Sequence, residues 1–327
     1  MISNGYYMIP VNRNKRPSIR DWRQYQSRPM TEDEIDENFR NCFGVAILTG
    51  GPPKLVGIDF DLKYSFDPTL YDRIEENIKP EILSKMYIQS TKNKGYHWLF
   101  KAPESKLVGN DVLAGRYTTA FEKHQMYMEY FNDPDTRDNA MKIAVNDTER
   151  VLVETRSGSP EKAGGYILLA PTEGYTKICS HEKGIQELTE EEFEHIEEVF
   201  RSFNEVIERN PKPKYNGEDW HIDPWEDANS RLDIQEILLS AGWTIENESV
   251  KSIRFKRPGA NSGSSALYDR ETGIFNCFST STRFDCQKGY TVSGVFAEIE
   301  HDGNKSAAYA HLIELGYGVK EFENNLK

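Results

Sequence analysis

The feature that most constrains this sequence is a short run in which aspartates alternate with apolar residues, Gly57-Ile58-Asp59-Phe60-Asp61. The run follows an apolar segment at 45–48 and a glycine turn, and its composition is typical of a β-strand. Successive side chains of a strand point to opposite faces, so we expect Asp59 and Asp61 on one face and Ile58 and Phe60 on the other. An aspartate pair in a solvated turn is the alternative that this run leaves open.

Two carboxylates on one face of a strand repel each other, which raises the pKa of each unless a cation lies between them. Mg²⁺ and Mn²⁺ suit that position because they bind carboxylate oxygens and leave coordination positions for substrate phosphates. We therefore expect Asp59 and Asp61 to bind one of these ions.

A second segment, residues 92–100, begins as a basic turn and continues as an aromatic-rich strand. Lys92 and Lys94 lie in the turn, where Gly95 lets backbone N–H groups approach an anion. Alternation places His97 on the strand face opposite its aromatic neighbours. This arrangement favours a phosphate-binding site, and a packed structural histidine is the alternative for His97.

A third segment, residues 151–156, alternates in the same way, with Glu154 and Arg156 on one face. It leads through a pair of glycines into the apolar run 166–170, which predicts a hairpin with a long loop. Glu154 alone would be an ordinary strand residue. Following the aspartate pair and the Gly-x-His segment, it becomes a candidate third carboxylate.

These three motifs, in this order, resemble those of the archaeo-eukaryotic primase superfamily. The nearest resemblance is to its prim-pol branch, found in phages, plasmids and mobile elements. Residues 9–22, with their basic loop, Pro17 and Trp22, are similar to the opening segment of that family. The resemblance ends near Thr172 and covers roughly half of the chain.

The resemblance implies an α+β fold whose catalytic domain is built on an RRM-like mixed sheet. It implies template-directed DNA primase and polymerase activity, with single-stranded DNA as template, dNTP or NTP as substrates, and a replicative helicase acting in trans. Asp59, Asp61 and Glu154 match the catalytic carboxylates that bind Mg²⁺ or Mn²⁺ for two-metal nucleotidyl transfer. His97 matches the histidine that contacts the phosphates of the incoming nucleotide.

The sequence departs from the family pattern at one position, because many members carry a serine where this chain has Gly95. Ser90, Thr91 or a lysine is then expected to replace the serine hydroxyl. The remaining candidates for nucleotide binding are Lys92, Lys94 and Arg156. Some members also carry a zinc-binding stem, but the segment 103–150 contains no cysteine, so we expect no zinc there.

Two other functions remain open. A metal-dependent nuclease could use the same carboxylates, although it has no need for the phosphate-binding strand around His97. A non-catalytic replication or defence module that binds nucleic acid is the second, although it has no need for all three carboxylates.

The net charge of −13 conflicts with nucleic-acid binding only if the charge is evenly spread. Acidic residues concentrate at 182–209 and 217–227, whereas basic residues concentrate at 1–30, 84–101 and 251–258. Attraction to a phosphate backbone depends on local patches, so the basic segments remain candidates. The sequence has no apolar run of bilayer length, and its four cysteines lack Cys-x-x-Cys spacing. We therefore expect a cytoplasmic protein with no membrane partner.

The length of 327 residues suits two domains. We predict a catalytic domain at 1–209, an acidic, proline-containing linker at 210–229 and a small α+β accessory domain at 230–327. The accessory domain is similar to the domains that accompany phage primases and, more distantly, to a zinc ribbon without its metal.

A zinc site in the accessory domain is disfavoured because Cys277 and Cys286 are nine residues apart and structural zinc needs four ligands. Arg254, Lys256 and Arg257 are candidate DNA-binding residues there. The aromatic residues between and after them, Phe255 and Phe278, could stack on bases or form the core.

Overall fold

A computed structural model describes residues 5–209, 220–261 and 263–320. The chain divides into two units: unit 1 is Met1–Ile196 with Phe203–Val206, and unit 2 is Glu197–Ser202 with Ile207–Lys327. Half of the predicted linker, residues 210–219, lies outside the described residues. The other half, residues 220–229, is folded as a short strand and the start of a helix.

Unit 1 combines runs of strands with helices. The strands are β1 (Met8–Val11), β2 (Gly44–Gly50), β3 (Leu55–Phe60), β4 (Tyr87–Ser90), β5 (Tyr96–Lys101), β6 (Val112–Tyr117), β7 (Glu149–Arg156), β8 (Ala163–Leu169) and β9 (Thr176–Cys179). The helices are α1 (Glu32–Phe39), α2 (Leu70–Asn77), α3 (Pro80–Leu83), α4 (Ala120–Asn132), α5 (Ala140–Asn146) and α6 (Glu190–Arg201), the last of which ends in unit 2.

Three of these helices begin with reciprocal caps. Thr31, Thr119 and Thr189 each accept a hydrogen bond from a backbone N–H three residues on, and a glutamate at that position accepts one in return. The sequence pattern Thr-x-x-Glu at 31–34 and 189–192 predicts helix starts at these positions, and the starts of α1 and α6 confirm this prediction. The helical spacing of apolar residues at 193–203 also predicts that α6 continues to Ile207, which is wrong, because the helix ends at Arg201.

The sheet of unit 1 is centred on β3, which pairs with β5 on one side and with β7 on the other. The order across this part is β6-β7-β3-β5-β4-β9, and a second part, β1-β2-β8, joins it through a single pairing between Gly50 and Leu55. The strand pairings in the described part of this sheet are antiparallel, so the sheet is a curled antiparallel one and the predicted mixed sheet is wrong.

The reason for this difference is the position of β5. Strands β3 and β4 run in the same direction and are connected through α2 and α3, as in a parallel crossover. However, β5 returns between them and pairs with both. The two strands that would have formed a parallel pair are thus separated by an antiparallel neighbour.

One face of β3 is packed as predicted. Ile58 and Phe60 are buried, and Phe60 contacts the rings of Trp98 and Tyr71. The Trp98 indole N–H donates to the Tyr71 hydroxyl at 3.2 Å, which satisfies a polar group inside the core. This packing fixes the register of β3 and therefore the direction of Asp59 on its other face.

Unit 2 is a second α+β unit. Its strands are β10 (Glu208–Arg209), β11 (Trp220–Ile222), β12 (Thr244–Glu248), β13 (Ser252–Lys256), β14 (Ala266–Asp269), β15 (Ile274–Cys277), β16 (Lys288–Tyr290) and β17 (Val319–Lys320). Its helices are α7 (Pro224–Arg231), α8 (Ile234–Ser240), α9 (Val292–His301) and α10 (Lys305–Glu314).

The main sheet of unit 2 has the order β10-β16-β15-β14-β13-β12. The amphipathic pattern at 231–241 predicts a helix that begins at Arg231. In the structure α8 begins at Ile234, because Asp233 caps it by accepting from the Gln235 N–H. No helix within 5–209, 220–261 and 263–320 combines the length and the apolar character that a bilayer crossing needs.

Candidate active site

Four polar side chains lie side by side across four neighbouring strands of unit 1. Asp59 on β3 is directly opposite His97 on β5 and directly opposite Glu154 on β7. His97 is in turn opposite Gln89 on β4. Directly opposed residues share a face of the sheet, with Cβ atoms about 4.5–5.5 Å apart. We call these four residues, Gln89, His97, Asp59 and Glu154, the Asp59 row.

Asp59 is contacted by two cationic or polar groups. His97 Nε2 lies 3.4 Å from Asp59 Oδ1, and an Arg156 guanidinium nitrogen lies 3.7 Å from Asp59 Oδ2. Burial raises the pKa of Asp59, but the hydrogen bond from His97 and the charges of Arg156 and Lys63 outweigh it and leave the pKa below its ordinary value. Asp59 is therefore ionised near neutral pH and can bind a cation.

Glu154 has the opposite balance. Its Oε1 accepts a hydrogen bond from Arg156 at 2.5 Å. Its pKa is nevertheless raised, first by burial and then by the charges of Asp59 and Asp61, which together outweigh Arg156. The ionised form of Glu154 is thus under-compensated by its protein neighbours.

Asp61 departs from the predicted alternation. Strand β3 ends at Phe60, and Asp61 has a non-extended backbone (φ −95°, ψ 61°) at the start of a short 3₁₀ turn. Its carboxylate lies 3.3 Å from the Lys63 ammonium and is 41% exposed. The predicted strand therefore does not extend to Asp61, although Asp61 is close enough for its charge to act on Glu154.

The oxygen donors of these carboxylates suit a divalent ion better than the positions of their side chains do. Asp59 and Glu154 are adjacent, and their oxygen donors are of the kind that Mg²⁺ and Mn²⁺ prefer. Among the described residues, no group of three or more His, Cys, Asp or Glu side chains is placed to hold one ion. Arg156 and Lys63 instead contact the three carboxylates, so a third ligand needs a side-chain rotation.

The turn between β4 and β5 explains the glycine at position 95. A Cβ atom at this position would lie 2.0 Å from the Phe60 carbonyl oxygen at the end of β3, so a serine does not fit there. The Gly95 N–H donates to the Thr91 hydroxyl at 3.1 Å, and Ser90 donates to the Thr176 carbonyl at 3.5 Å. Both candidate hydroxyls thus have backbone partners.

Lys92 and Lys94 are exposed on the same turn, between the strand that carries Gln89 and the strand that carries His97. Lys94 has a left-handed backbone with φ of 61°. The turn, residues 91–95, begins two residues after Gln89 on β4 and ends two residues before His97 on β5.

Sequence reasoning missed three side chains near His97. Gln89 is buried and hydrogen-bonded to the imidazole, the Tyr175 ring lies 5.8 Å from it, and the Lys15 ammonium lies 5.6 Å from the Tyr175 ring. The basic loop that carries Lys15 is an available signal in the sequence. Gln89 has no such signal, because a single polar residue in a short strand looks exposed until the pairing is known.

In unit 2 the predicted DNA-binding residues have different surroundings. Arg254 and Lys256 are half-buried on β13, on the face opposite the core residue Phe255. The Arg257 guanidinium lies 3.4 Å from Glu198 Oε1 and donates to the Ser279 hydroxyl at 2.9 Å. Phe255 and Phe278 are fully buried, so of the two alternatives for these residues the structure supports a role in the core.

Cys277 and Cys286 also lie together in unit 2. Burial raises the pKa of Cys277, but hydrogen bonds with Cys286 and Thr282 outweigh it and leave the pKa below its ordinary value. The hydrogen bond with Cys277 and burial both raise the pKa of Cys286. The described residues contain no third and fourth metal ligand around them.

No protein-family model and no curated protein sequence matches this chain. The resemblance to primases thus depends on the motifs and on the geometry that surrounds them.

Proposed function

We propose that this chain is a template-directed DNA primase/polymerase that performs two-metal nucleotidyl transfer during replication of a phage, plasmid or mobile element. One observation carries the proposal: Glu154, Asp59 and His97, which are far apart in sequence, are direct neighbours across three adjacent strands. Carboxylates beside an imidazole and a lysine-containing turn suit a nucleoside triphosphate with its metal ions.

Each residue has a distinct task in this proposal. Asp59 and Glu154, with Asp61 after a side-chain rotation, hold the ions. Bound there, Mg²⁺ or Mn²⁺ activates a primer 3′-hydroxyl and neutralises charge on the α-phosphate and the leaving pyrophosphate. His97, Lys92 and Lys94 bind the phosphates, and Arg156 moves from Glu154 to the triphosphate when the ion arrives. Ser90 lies at the edge of this phosphate site.

The fold supports the proposal in coarse terms. Two strands of the same direction are connected by helices across an intervening strand, and the site lies on the central strands, as an RRM-like primase/polymerase domain requires. Unit 2 is then the accessory unit that contacts single-stranded template through Arg254 and Lys256, and a replicative helicase acts in trans.

The test is primer extension on a single-stranded template with labelled dNTPs or NTPs and Mg²⁺ or Mn²⁺. Asp59→Asn and Glu154→Gln should each lower the rate at least about 10³-fold, because each removes an ion ligand. Glu149→Gln is the matched control, since Glu149 is an exposed carboxylate on the same strand as Glu154. It should retain the wild-type rate.

Three outcomes contradict the proposal. If the wild type extends the primer and both variants still do so, the catalytic residues lie elsewhere. Degradation of the labelled template without dNTP, lost in Asp59→Asn, indicates a nuclease. Template binding with neither reaction indicates a non-catalytic replication or defence module.

A further inference from the structure

Gln89 is fully buried at the end of the Asp59 row and makes four polar contacts. Its Nε2 lies 2.9 Å from His97 Nδ1 and 2.6 Å from the Leu168 carbonyl oxygen. Its Oε1 lies 3.0 Å from the Ala170 backbone nitrogen and 3.1 Å from the Tyr87 hydroxyl. A buried glutamine amide has two donor hydrogens and one acceptor oxygen, and here all of them are used.

Two backbone groups fix the orientation of this amide. The Ala170 N–H can only donate, so the group facing it is the amide oxygen. The Leu168 carbonyl can only accept, so the group facing it is the amide nitrogen. Flipping the amide would oppose two donors at Ala170 and two acceptors at Leu168 inside the protein, which is costly in a buried site.

The orientation of Gln89 in turn determines the protonation of His97. One amide hydrogen is used by Leu168, and the other points at His97 Nδ1, which must therefore be an unprotonated acceptor. The single ring hydrogen of a neutral imidazole then lies on Nε2. Nε2 is the ring nitrogen that faces Asp59, at 3.4 Å from Oδ1.

We propose that Gln89 is a positioning residue that holds His97 as a neutral imidazole with its hydrogen on Nε2, so that His97 acts as a hydrogen-bond donor to the nucleotide phosphates. The phosphate acceptor depends on the proposed function, whereas the tautomer follows from the four contacts of Gln89. In the absence of a nucleotide, the Nε2 hydrogen points toward Asp59.

This assignment excludes two other roles for His97. Nδ1 is filled by the amide hydrogen and cannot bind a metal ion. Nε2 carries a hydrogen and therefore has no lone pair with which to bind a metal ion or to take a proton from a 3′-hydroxyl. His97 is thus neither an ion ligand nor a general base, and it leaves both tasks to the carboxylates and to bound ions.

The first experiment uses the full-length wild type. Long-range ¹H–¹⁵N correlation of histidine-labelled protein at neutral pH should show His97 with hydrogen on Nε2 alone, and the His97→Asn spectrum assigns the signal. A through-hydrogen-bond ¹⁵N–¹⁵N coupling should also join Gln89 Nε2 to His97 Nδ1. A doubly protonated ring, or hydrogen on Nδ1, would overturn the proposal without reference to any enzyme activity.

The second experiment compares two variants of the same site. Gln89→Met keeps a similar volume but removes the donor, so the His97 tautomer should become mixed. Tyr87→Phe is the matched control, because it removes one hydrogen bond to the Gln89 oxygen and leaves the donor side intact. It should keep the wild-type tautomer, and a persistent Nε2 tautomer in Gln89→Met would show that Gln89 does not position the ring.

Kinetics separate this proposal from the proposed function. For Gln89→Met we expect an increase of about tenfold in the KM for nucleotide with a smaller change in kcat, which is the lower end of the effect of removing the hydrogen-bond partner of a metal-binding histidine. If the wild type extends no primer while its His97 signal shows the Nε2 tautomer, the proposed function fails and the positioning by Gln89 stands. If KM is unchanged while the tautomer changes, the phosphate role of His97 is overturned.

Discussion

Two clusters of charged side chains in the sheet of unit 1 have opposite electrostatic balances. In the first, Arg116 on β6 donates to both carboxylate oxygens of Glu122, at 2.9 and 2.6 Å, and the backbone N–H and hydroxyl of Thr119 donate to the same carboxylate. Hydrogen bonds from Arg116 lower the pKa of Glu122 to about 2. In the second, the Asp59 row, the pKa of Asp59 is also lowered, but the pKa of Glu154 is raised.

The difference indicates in which cluster the charges are fully compensated by protein partners, which we call a complete cluster. Every charge in the Arg116–Glu122 pair has a protein partner, so the pair stabilises the fold and needs nothing else. Asp59 and Glu154 of the Asp59 row and the nearby Asp61 share Arg156, Lys63 and a histidine that the Gln89 contacts keep neutral. A site that contains an under-compensated carboxylate is stabilised most by an added cation. This is the physical basis for proposing a metal ion here.

The largest expected effect concerns the complete cluster. Glu122→Gln should lower the free energy of unfolding by about 2 kcal/mol at neutral pH, because it leaves the buried Arg116 without a counter-charge. Glu122 has a lowered pKa in the fold, so its contribution is present above 4.5 and is lost as the pH falls toward about 2.

Urea denaturation between neutral and acidic pH measures this prediction. Glu129→Gln, on the exposed side of the same helix, is the control and should match the wild type at each pH. A constant difference between Glu122→Gln and the wild type at every pH would show that charge does not hold this pair together.

Arg156→Gln should have the next largest effect. The guanidinium contacts both Glu154 and Asp59, so its loss should destabilise the metal-free protein by about 1 kcal/mol. The same loss should tighten Mn²⁺ binding, measured by electron paramagnetic resonance, because no cation competes for the two carboxylates. Weaker Mn²⁺ binding by this variant would mean that Arg156 supports the ion site.

Glu154→Gln should have a smaller effect of the opposite sign to that of Glu122→Gln. A carboxyl group with a raised pKa in the fold destabilises it while ionised, so the variant should be more stable than the wild type by about 0.5 kcal/mol at neutral pH. Protonation of Glu154 removes this difference as the pH falls toward the ordinary pKa of 4.5. Parallel denaturation of the Glu122 and Glu154 variants tests the comparison directly. A loss of stability in both would show that the two clusters do not differ in charge compensation.

Much of the Asp59 row could be predicted from sequence because the chemistry depends on local alternation. The sequence placed Asp59, His97 and Glu154 on strands, and the structure makes them direct neighbours. The backbone conformation of Asp61 could not be predicted, because it depends on how β3 pairs with β7. There the Asp61 N–H donates to the Leu152 carbonyl. Gln89 could not be found, because its role arises from the pairing of β4 with β5.

Unit 2 was harder to predict for a related reason. Basic and aromatic residues alternate at 254–257, which suits either a binding surface or an edge of the core. The choice depends on which face the helices cover. Phe255 faces the core, and Arg257 pairs with the buried Glu198, a closed arrangement similar to that of Arg116 and Glu122.

The smallest expected effect sharpens the comparison in unit 2. If single-stranded DNA binds through Arg254, Arg254→Gln should reduce the slope of log affinity against log salt by about 0.7, the value for one phosphate contact. Lys256→Gln should behave alike. Arg257→Gln should leave the slope unchanged and lower stability, because it removes a cation that pairs with the buried Glu198. Fluorescence anisotropy with a labelled oligonucleotide over a salt series measures all three slopes. A reduced slope for Arg257→Gln alone would show that Arg257 can leave Glu198 and bind phosphate. The distinction between charge-compensated and under-compensated clusters would then not apply to unit 2.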